Sequence, residues 1–439
     1  MKKISFLGVL VGSLLFITNC GNDKDGGADD LPLTSEQNKE LLQSVGVNLT
    51  NELAALRETD GVQSLISFGL KLDLEDDDEE VEWEATNQRL AGLGRVASNI
   101  VAFSYGELST TEFGRSAYRI NEDDESLQSI WEDALGTYEW NSDTEEFDFT
   151  EGGNTVIVNF PSEEGGTSNN ATLTLSNYVG IELESPIEDY SGDLPESLEV
   201  TLAVDGTTVL EYSFEIDYAS DGVPEQIDTE LVLDPFNLSV GLTNTSTKVG
   251  ANVNLSNASN TVIEVTTDVN GDFSEAAINA AEEDEDEIDE VISDGSFSLT
   301  LLTLKLDATM DFASLYNDLS EVDTYYDKMY NDGPEPDMDA NAAIMESALA
   351  DHTTLTAVYT DTNKKAADIE WYTVVNEDEY EIWVELGARM VFEDGSKVDM
   401  EDYLESGFGE LESSLNNLLA DLAEDLNEDF DPIDFDDLD

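Results

Sequence analysis

The chain has 439 residues, and its apolar fraction of 40% is ample for a packed core, so this is not the composition of a disordered protein. Its 101 acidic residues against 17 basic ones give a formal net charge of -84, which repels phosphate groups and argues against nucleic acid as a partner. The single cysteine excludes intramolecular disulfide bonds. The single histidine removes most routes to a zinc site or a Ser-His-Asp triad, so we expect His352 to lie at the surface or to cap a helix.

The first residues have the pattern of a secretory signal peptide. Lys2 and Lys3 form a positive segment, and residues 4–17 form an apolar stretch that is too short to span a bilayer. The sequence Ile17-Thr18-Asn19-Cys20 then resembles the lipobox of bacterial lipoproteins, in which an aliphatic and a small residue precede the cysteine that is acylated. The resemblance implies removal of residues 1–19, acylation of Cys20 and attachment to a membrane.

Residues 20–31 are predicted to form a flexible acidic tether between this anchor and the folded body. The tether resembles the acidic signal that sends some lipoproteins to the cell surface. The expected location is therefore the cell envelope, as an outer-membrane lipoprotein on the periplasmic face or at the cell surface.

A single large α+β domain is predicted for residues 32–426, and its first part, residues 32–125, is helical. Thr34 and Gln37 match a capping box, and apolar residues recur at helical spacing behind it. A second helix is predicted over residues 62–74, and a third is predicted where apolar residues recur between residues 90 and 100.

The next part, residues 135–270, alternates apolar and polar residues and predicts an extended antiparallel β meander. One hairpin can be derived in detail. A simple two-residue loop at residues 205–206 would place charge on the apolar face. A three-residue loop, or a two-residue loop with one bulge, instead pairs Leu202 with Leu210 and Val200 with Tyr212.

The last part, residues 271–426, is predicted to mix helices and strands. Residues 297–312 are predicted to form one long strand, followed by helices near residues 315–329 and 339–349. In residues 404–426 leucine and phenylalanine step by three or four, which predicts a C-terminal helix packed across one face of the sheet. The acidic tail, residues 427–439, is predicted to be disordered.

Three stretches of the chain resemble uncharacterised surface lipoproteins of Gram-negative bacteria. They are GTYEWNSDTEEFDF, VIVNFPS and VFEDGSKVDMEDYLESGF. By its order of elements the chain is also similar to lipid-carrier lipoproteins, in which a curved sheet holds an acyl chain beneath helices.

One short segment has spacing suited to a cation. Asp268, Asn270 and Asp272 begin like a calcium loop, because oxygen ligands at alternate positions can converge on one hard cation. The segment departs from the EF-hand at Phe273, where glycine is needed, and at Asn279, where a bidentate glutamate is needed. These three residues are weak metal candidates, and loosely bound Ca²⁺ is the only cofactor that the sequence suggests.

Three functions stay open from the sequence. The first is a non-enzymatic, lipid-anchored envelope protein that binds or carries an apolar ligand between sheet and helices. The second is a surface interaction or adhesion protein that acts through an acidic, cation-binding face. The third is an enzyme that acts on polysaccharide through a pair of carboxylates, although no catalytic pair can be singled out.

Overall fold

The computed structural model describes residues 33–72, 127–163, 165–182, 193–219, 222–258, 260–274, 291–330, 337–377 and 382–399, with isolated positions at 277, 413–414 and 416–417. These residues form an α+β fold with one mostly antiparallel sheet of 16 strands. The helices described are α1 Ser35–Arg57, α2 Asp60–Leu72, α3 Leu127–Ala134, α4 Phe312–Tyr330 and α5 Met338–His352. The strands are β1 Gly136–Asn141, β2 Glu146–Glu151, β3 Val156–Phe160, β4 Ala171–Glu182, β5 Asp193–Val204, β6 Thr207–Tyr218, β7 Pro224–Leu233, β8 Phe236–Thr245, β9 Lys248–Asn257, β10 Asn260–Gly271, β11 Ile292–Leu301, β12 Leu304–Asp311, β13 Thr353–Tyr359, β14 Lys364–Glu377, β15 Ile382–Val391 and β16 Lys397–Asp399.

The strands follow one another across the sheet in chain order. From β3 to β16 each strand pairs antiparallel with the next, so the predicted meander is confirmed and extends well beyond residue 270. The exception is β1, which lies between β3 and β2 and runs parallel to β3. Pairing between neighbours in the sequence means that most of the sheet is built from local hairpins.

Alternation along each strand gives the sheet two chemically different faces. The face that we call the helical face carries buried apolar side chains that pack with the helices, among them Leu202, Leu210, Leu233, Phe236, Leu255, Ile263, Leu301 and Leu304. The opposite face, which we call the outer face, carries polar side chains such as Glu199, Ser213, Glu230, Ser239 and Asn254. The core therefore lies on one side of the sheet, and the other side presents polar groups.

The register predicted for the hairpin between β5 and β6 is confirmed. Leu202 pairs with Leu210 and Val200 pairs with Tyr212, and the register shifts by one residue next to Leu202. The loop at residues 205–206 is thus a two-residue turn combined with a bulge. The bulge keeps both apolar sets on the helical face, which is the physical reason for the prediction.

The single long strand predicted for residues 297–312 is wrong. The chain forms the hairpin of β11 and β12 there, with its turn at Leu302 and Thr303. Leu302 adopts a φ of 53°, and its backbone N–H donates to the carbonyl of Val262. The Thr303 carbonyl accepts from the N–H of Thr360. Hydrogen bonds to β10 and to the residue after β13 therefore hold this turn in place, although its own residues are not typical of turns.

The N-terminal helices confirm the helical start of the domain. They cross the helical face so that the start of α1 contacts a late strand, β13, and α2 contacts the early strand β3. The predicted capping box opens α1, since the Thr34 hydroxyl accepts from the Gln37 N–H and the Thr34 N–H donates to the Gln37 side chain. Near its start the buried Asn38 side chain accepts a hydrogen bond of 2.6 Å from Tyr359 of β13.

Further along, α1 and α2 reach the earlier strands. Glu52 accepts from Asn257 of β9 at 2.6 Å. At the end of this path the Ser67 hydroxyl donates to the carbonyl of Pro161, just after β3. Beside it the Phe68 ring lies 5.0 Å from that of Phe160. The two helices therefore bind strands from β13 back to β3.

The later helices pack on the same face. The N–H of Gln128 in α3 donates to the buried carboxylate of Asp193 in β5, and Trp131 of α3 stacks on Tyr178 of β4. Helices α4 and α5, both close to their predicted positions, form a second apolar cluster with β13–β15 around Trp371. The predictions for residues 90–100, 404–426 and 427–439 lie outside the described residues, except for four helical positions between 413 and 417.

Candidate functional site

The outer face contains a groove with a volume of about 840 Å³. It crosses the middle of the sheet from β4 to β10. Its floor follows a single cross-strand row in which each residue is directly opposite the next, and this row is Ser197, Glu215, Asp228, Gly241, Asn252 and Thr266. Because the row is perpendicular to the strands, a ligand in the groove would lie across them.

The side chains of the floor are shortest at its centre. Gly241 of β8 contributes no side chain, and a Cβ atom placed there would have no neighbour closer than 3.5 Å, the Asp228 carboxylate. Ser213 and Ser239 lie in the next row and are also small. These short side chains near the centre, with longer side chains around them, form the groove on this face.

Four exposed carboxylates gather at one end of the groove, on β5, β6 and β7. They are Glu199, Glu215, Asp228 and Glu230. Three of them accept hydrogen bonds from neutral amide groups: Glu199 from Asn177 at 2.6 Å, Asp228 from Gln226 at 2.5 Å and Glu230 from Asn237 at 2.9 Å. In the described part of the chain none of the four forms an ion pair with Lys or Arg. The amides orient the carboxylates without neutralising their charge.

The other end of the groove is nearly neutral. Lys248 of β9 forms an ion pair of 2.7 Å with Asp268 of β10, and both residues line the groove. The groove is therefore electrostatically asymmetric, with uncompensated negative charge over β5–β7 and a compensated pair over β9–β10.

The structure places the three weak metal candidates against different partners. Asp268 points to Lys248 on β9, whereas the amide of Asn270 donates to Asp294 on β11 at 2.6 Å. Asp272 accepts from Ser274, whose side chain and backbone hydrogen bonds hold the pKa of that carboxyl below its usual value. Among the described residues no three or more His, Cys, Asp or Glu side chains are grouped to hold a metal ion.

In a second charged cluster on the outer face, at β14–β16, every charged side chain has an opposite charge beside it. Glu370 accepts from Arg389 at 2.6 Å and also from Lys397, and these contacts lower the pKa of its carboxyl and raise that of the Arg389 guanidinium. The guanidinium also lies 5.1 Å from the centre of the Tyr372 ring, and this ring covers Gly387. Because its charges are already paired, we interpret this cluster as a contact that stabilises the β16 edge of the sheet.

The remaining candidates from the sequence occupy other places. His352 ends α5, and its Nε2 lies 2.8 Å from an Asp318 carboxylate oxygen on α4, so the residue joins two helices. Cys20 lies outside the described residues. The groove itself was not predicted, although the signal was present as Ser, Gly, Asn and acidic residues at alternate positions of β5–β10.

Comparisons with known protein families, with curated protein sequences and with solved structures gave no match to this chain. In the part of the chain that the structure describes, no helix combines the length and the apolar composition needed to cross a membrane.

Proposed function

We propose that this protein is a lipid-anchored, non-enzymatic protein of the bacterial cell envelope that binds a ligand or partner on the outer face of its sheet. The observation that carries the binding function is the groove, in which oriented but uncompensated carboxylates border a floor of small polar residues. The resemblance of residues 17–20 to a lipobox supports the anchor.

The packing of the helical face favours surface binding over carriage of an apolar ligand. The largest fully buried side chains lie there and include Tyr138, Phe160, Leu202, Ile216 and Leu299. Apolar side chains from the helices fill the same region. An acyl chain would have to displace such side chains, whereas a polar ligand can enter the groove without disturbing the core.

The arrangement of the carboxylates favours binding over hydrolysis of a polysaccharide. Glu215 and Asp228 are directly opposite on neighbouring strands and project from the same face. A glycosidase needs its two carboxyl groups on either side of the scissile bond. Neighbouring side chains on one sheet face approach a ligand from one side only.

The C-terminal helix predicted for residues 404–426 completes the proposed architecture. Its apolar stripe requires cover, and the helical face is the side of the sheet on which the other helices pack. The proposal is that this helix also packs on the helical face, which leaves the outer face open to a partner.

Replacement of the cysteine tests the anchor. In Cys20→Ala the thioether that carries the lipid cannot form, so we expect the exported protein to move from the membrane fraction to the soluble fraction or to stay uncleaved. Fractionation and mass spectrometry of the mature N-terminus measure this. Wild type and variant that are both soluble at mature length would contradict the anchor.

Filling the groove tests the binding site. Gly241→Tyr places a ring on the groove floor, where the open surroundings of this glycine accommodate a Cβ atom. We expect a ligand that uses the groove to raise the Tm of the wild type and not that of Gly241→Tyr. Thermal melts with cationic peptides, anionic peptides and neutral oligosaccharides provide the comparison.

The matched control is Val374→Tyr, which places the same ring at an exposed position of the outer face on β14, four strands beyond the groove. It should respond to ligands as the wild type does. A ligand panel that shifts all three proteins equally, or none of them, would contradict a binding site in the groove.

A further inference from the structure

The charge of the groove changes along its length, and this limits what can occupy it. The carboxylates of Glu199, Glu215, Asp228 and Glu230 lie at the β5–β7 end, and the floor over β8 and β9 is formed by the neutral residues Ser239, Gly241 and Asn252. A ligand that matches this surface carries positive charge at one end and uncharged hydrogen-bonding groups along the rest.

Without a bound ligand, the carboxylate end of the groove destabilises the sheet. Glu215 and Asp228 are directly opposite across β6 and β7, and like charges at such positions destabilise a sheet. Asp228 accepts from the Gln226 amide, and the nearby Glu199 and Glu230 likewise accept from amides and not from cations. A cationic group bound from outside would remove this repulsion, so the complementarity is with a partner and not with another part of the described sheet.

The length and the floor of the groove favour a polypeptide. The five intervals from β5 to β10, at about 4.8 Å each, span about 24 Å, which matches about seven residues of extended chain. Serine and asparagine side chains supply both donors and acceptors, as a peptide backbone does, whereas a polyamine supplies only donors.

We propose that the groove binds an extended basic segment of a partner protein, which lies across the strands with its Lys or Arg side chains over β5–β7 and its backbone over β8 and β9. This inference rests on the groove being a binding site, as proposed above. It adds the chemical class of the partner and its direction on the sheet.

The experiment measures binding of a labelled peptide of about eight residues, in which lysine alternates with serine, to the full-length protein by fluorescence anisotropy. The variant Glu215→Gln/Asp228→Asn removes two charges from the groove. We expect its Kd to rise about tenfold, because two close charge contacts are lost. An analogue with glutamine in place of lysine should not bind.

The matched control removes two charges elsewhere. Glu146→Gln/Glu151→Gln changes exposed residues of β2, at the far edge of the sheet, and should leave the Kd within about twofold, since long-range attraction is screened at physiological salt. Equal losses in both variants would overturn the proposal, because the peptide would then be attracted to the acidic surface as a whole.

Two further results separate this inference from the function on which it rests. If Gly241→Tyr abolishes the response to another ligand while the groove charge variant binds the lysine peptide normally, the groove is a binding site but the basic peptide is wrong. If spermine binds as tightly as the peptide and depends equally on Glu215 and Asp228, the polypeptide class is wrong. If neither Gly241→Tyr nor the charge variant affects any ligand, both proposals fail.

Discussion

Phe160→Ala is expected to lower the free energy of unfolding by about 3–5 kcal/mol, the usual cost of removing a buried phenylalanine. Phe160 ends β3, is fully buried and packs its ring against Phe68 of α2. Removal of the Phe160 ring would open a cavity where the N-terminal helices meet the first strands. Urea denaturation of both proteins measures the loss, provided that the unfolding free energy falls with urea concentration at the same slope in both.

The control for this variant lies on α2, the helix whose Phe68 packs against Phe160. Leu65 of α2 is 38% exposed, so Leu65→Ala should change stability by no more than about 0.5 kcal/mol. If both substitutions cost the same, the packing of α2 on β3 does not contribute as the structure indicates.

The Tm is expected to rise steeply with salt. A net charge of -84 repels itself in the compact state, and between about 0.01 M and 1 M NaCl the Debye length falls from about 30 Å to about 3 Å. Screening over that range removes most of the repulsion between exposed carboxylates. Scanning calorimetry across the series measures the effect, and a flat curve would contradict the repulsion.

A comparison of CaCl₂ with NaCl distinguishes screening of the carboxylate charges from direct binding of Ca²⁺. At equal ionic strength we expect CaCl₂ to raise the Tm further than NaCl, because facing carboxylates such as Glu215 and Asp228 attract a divalent ion more strongly. Curves that superimpose would leave screening as the whole explanation and would contradict loosely bound Ca²⁺.

Local patterns in the sequence were sufficient for much of the fold. The apolar alternation of β5 and β6 permits one register only, since the other would bring a glutamate onto the helical face, and the bulge beside Leu202 is the outcome. Thr34 and Gln37 predicted the start of α1 because the capping box is complete within four residues.

Features that depend on distant neighbours were not predictable. The turn at Leu302 and Thr303 has no glycine, proline, asparagine or aspartate, and its hydrogen bonds come from Val262 and Thr360. On both sides of the turn leucine recurs at nearly every second position, and this pattern predicts one strand. The sequence alone has no signal for contacts that arise only after neighbouring strands have paired.

The groove was missed for the same reason. Its floor is a row through six strands, and the position of Gly241 opposite Asp228 and Asn252 follows only when every register between β5 and β10 is known. Three of these five pairings contain a register shift, beside Leu202, beside Asp217 and between Thr261 and Ile263. An error of one residue in any hairpin would move the polar row to the other face.

The path of the N-terminal helices across the strands affects how the chain folds during its synthesis. Synthesis produces α1 first, yet the hydrogen bond between Asn38 and Tyr359 joins residues 321 positions apart. Each hairpin of the sheet can form as soon as its own residues are available, because its partner is next in the chain. The start of α1 must instead wait for its partner until β13 has been added, 321 residues later. The nascent chain therefore exposes the start of α1 for a long interval, and a chaperone that shields an amphipathic N-terminal helix would act during that interval.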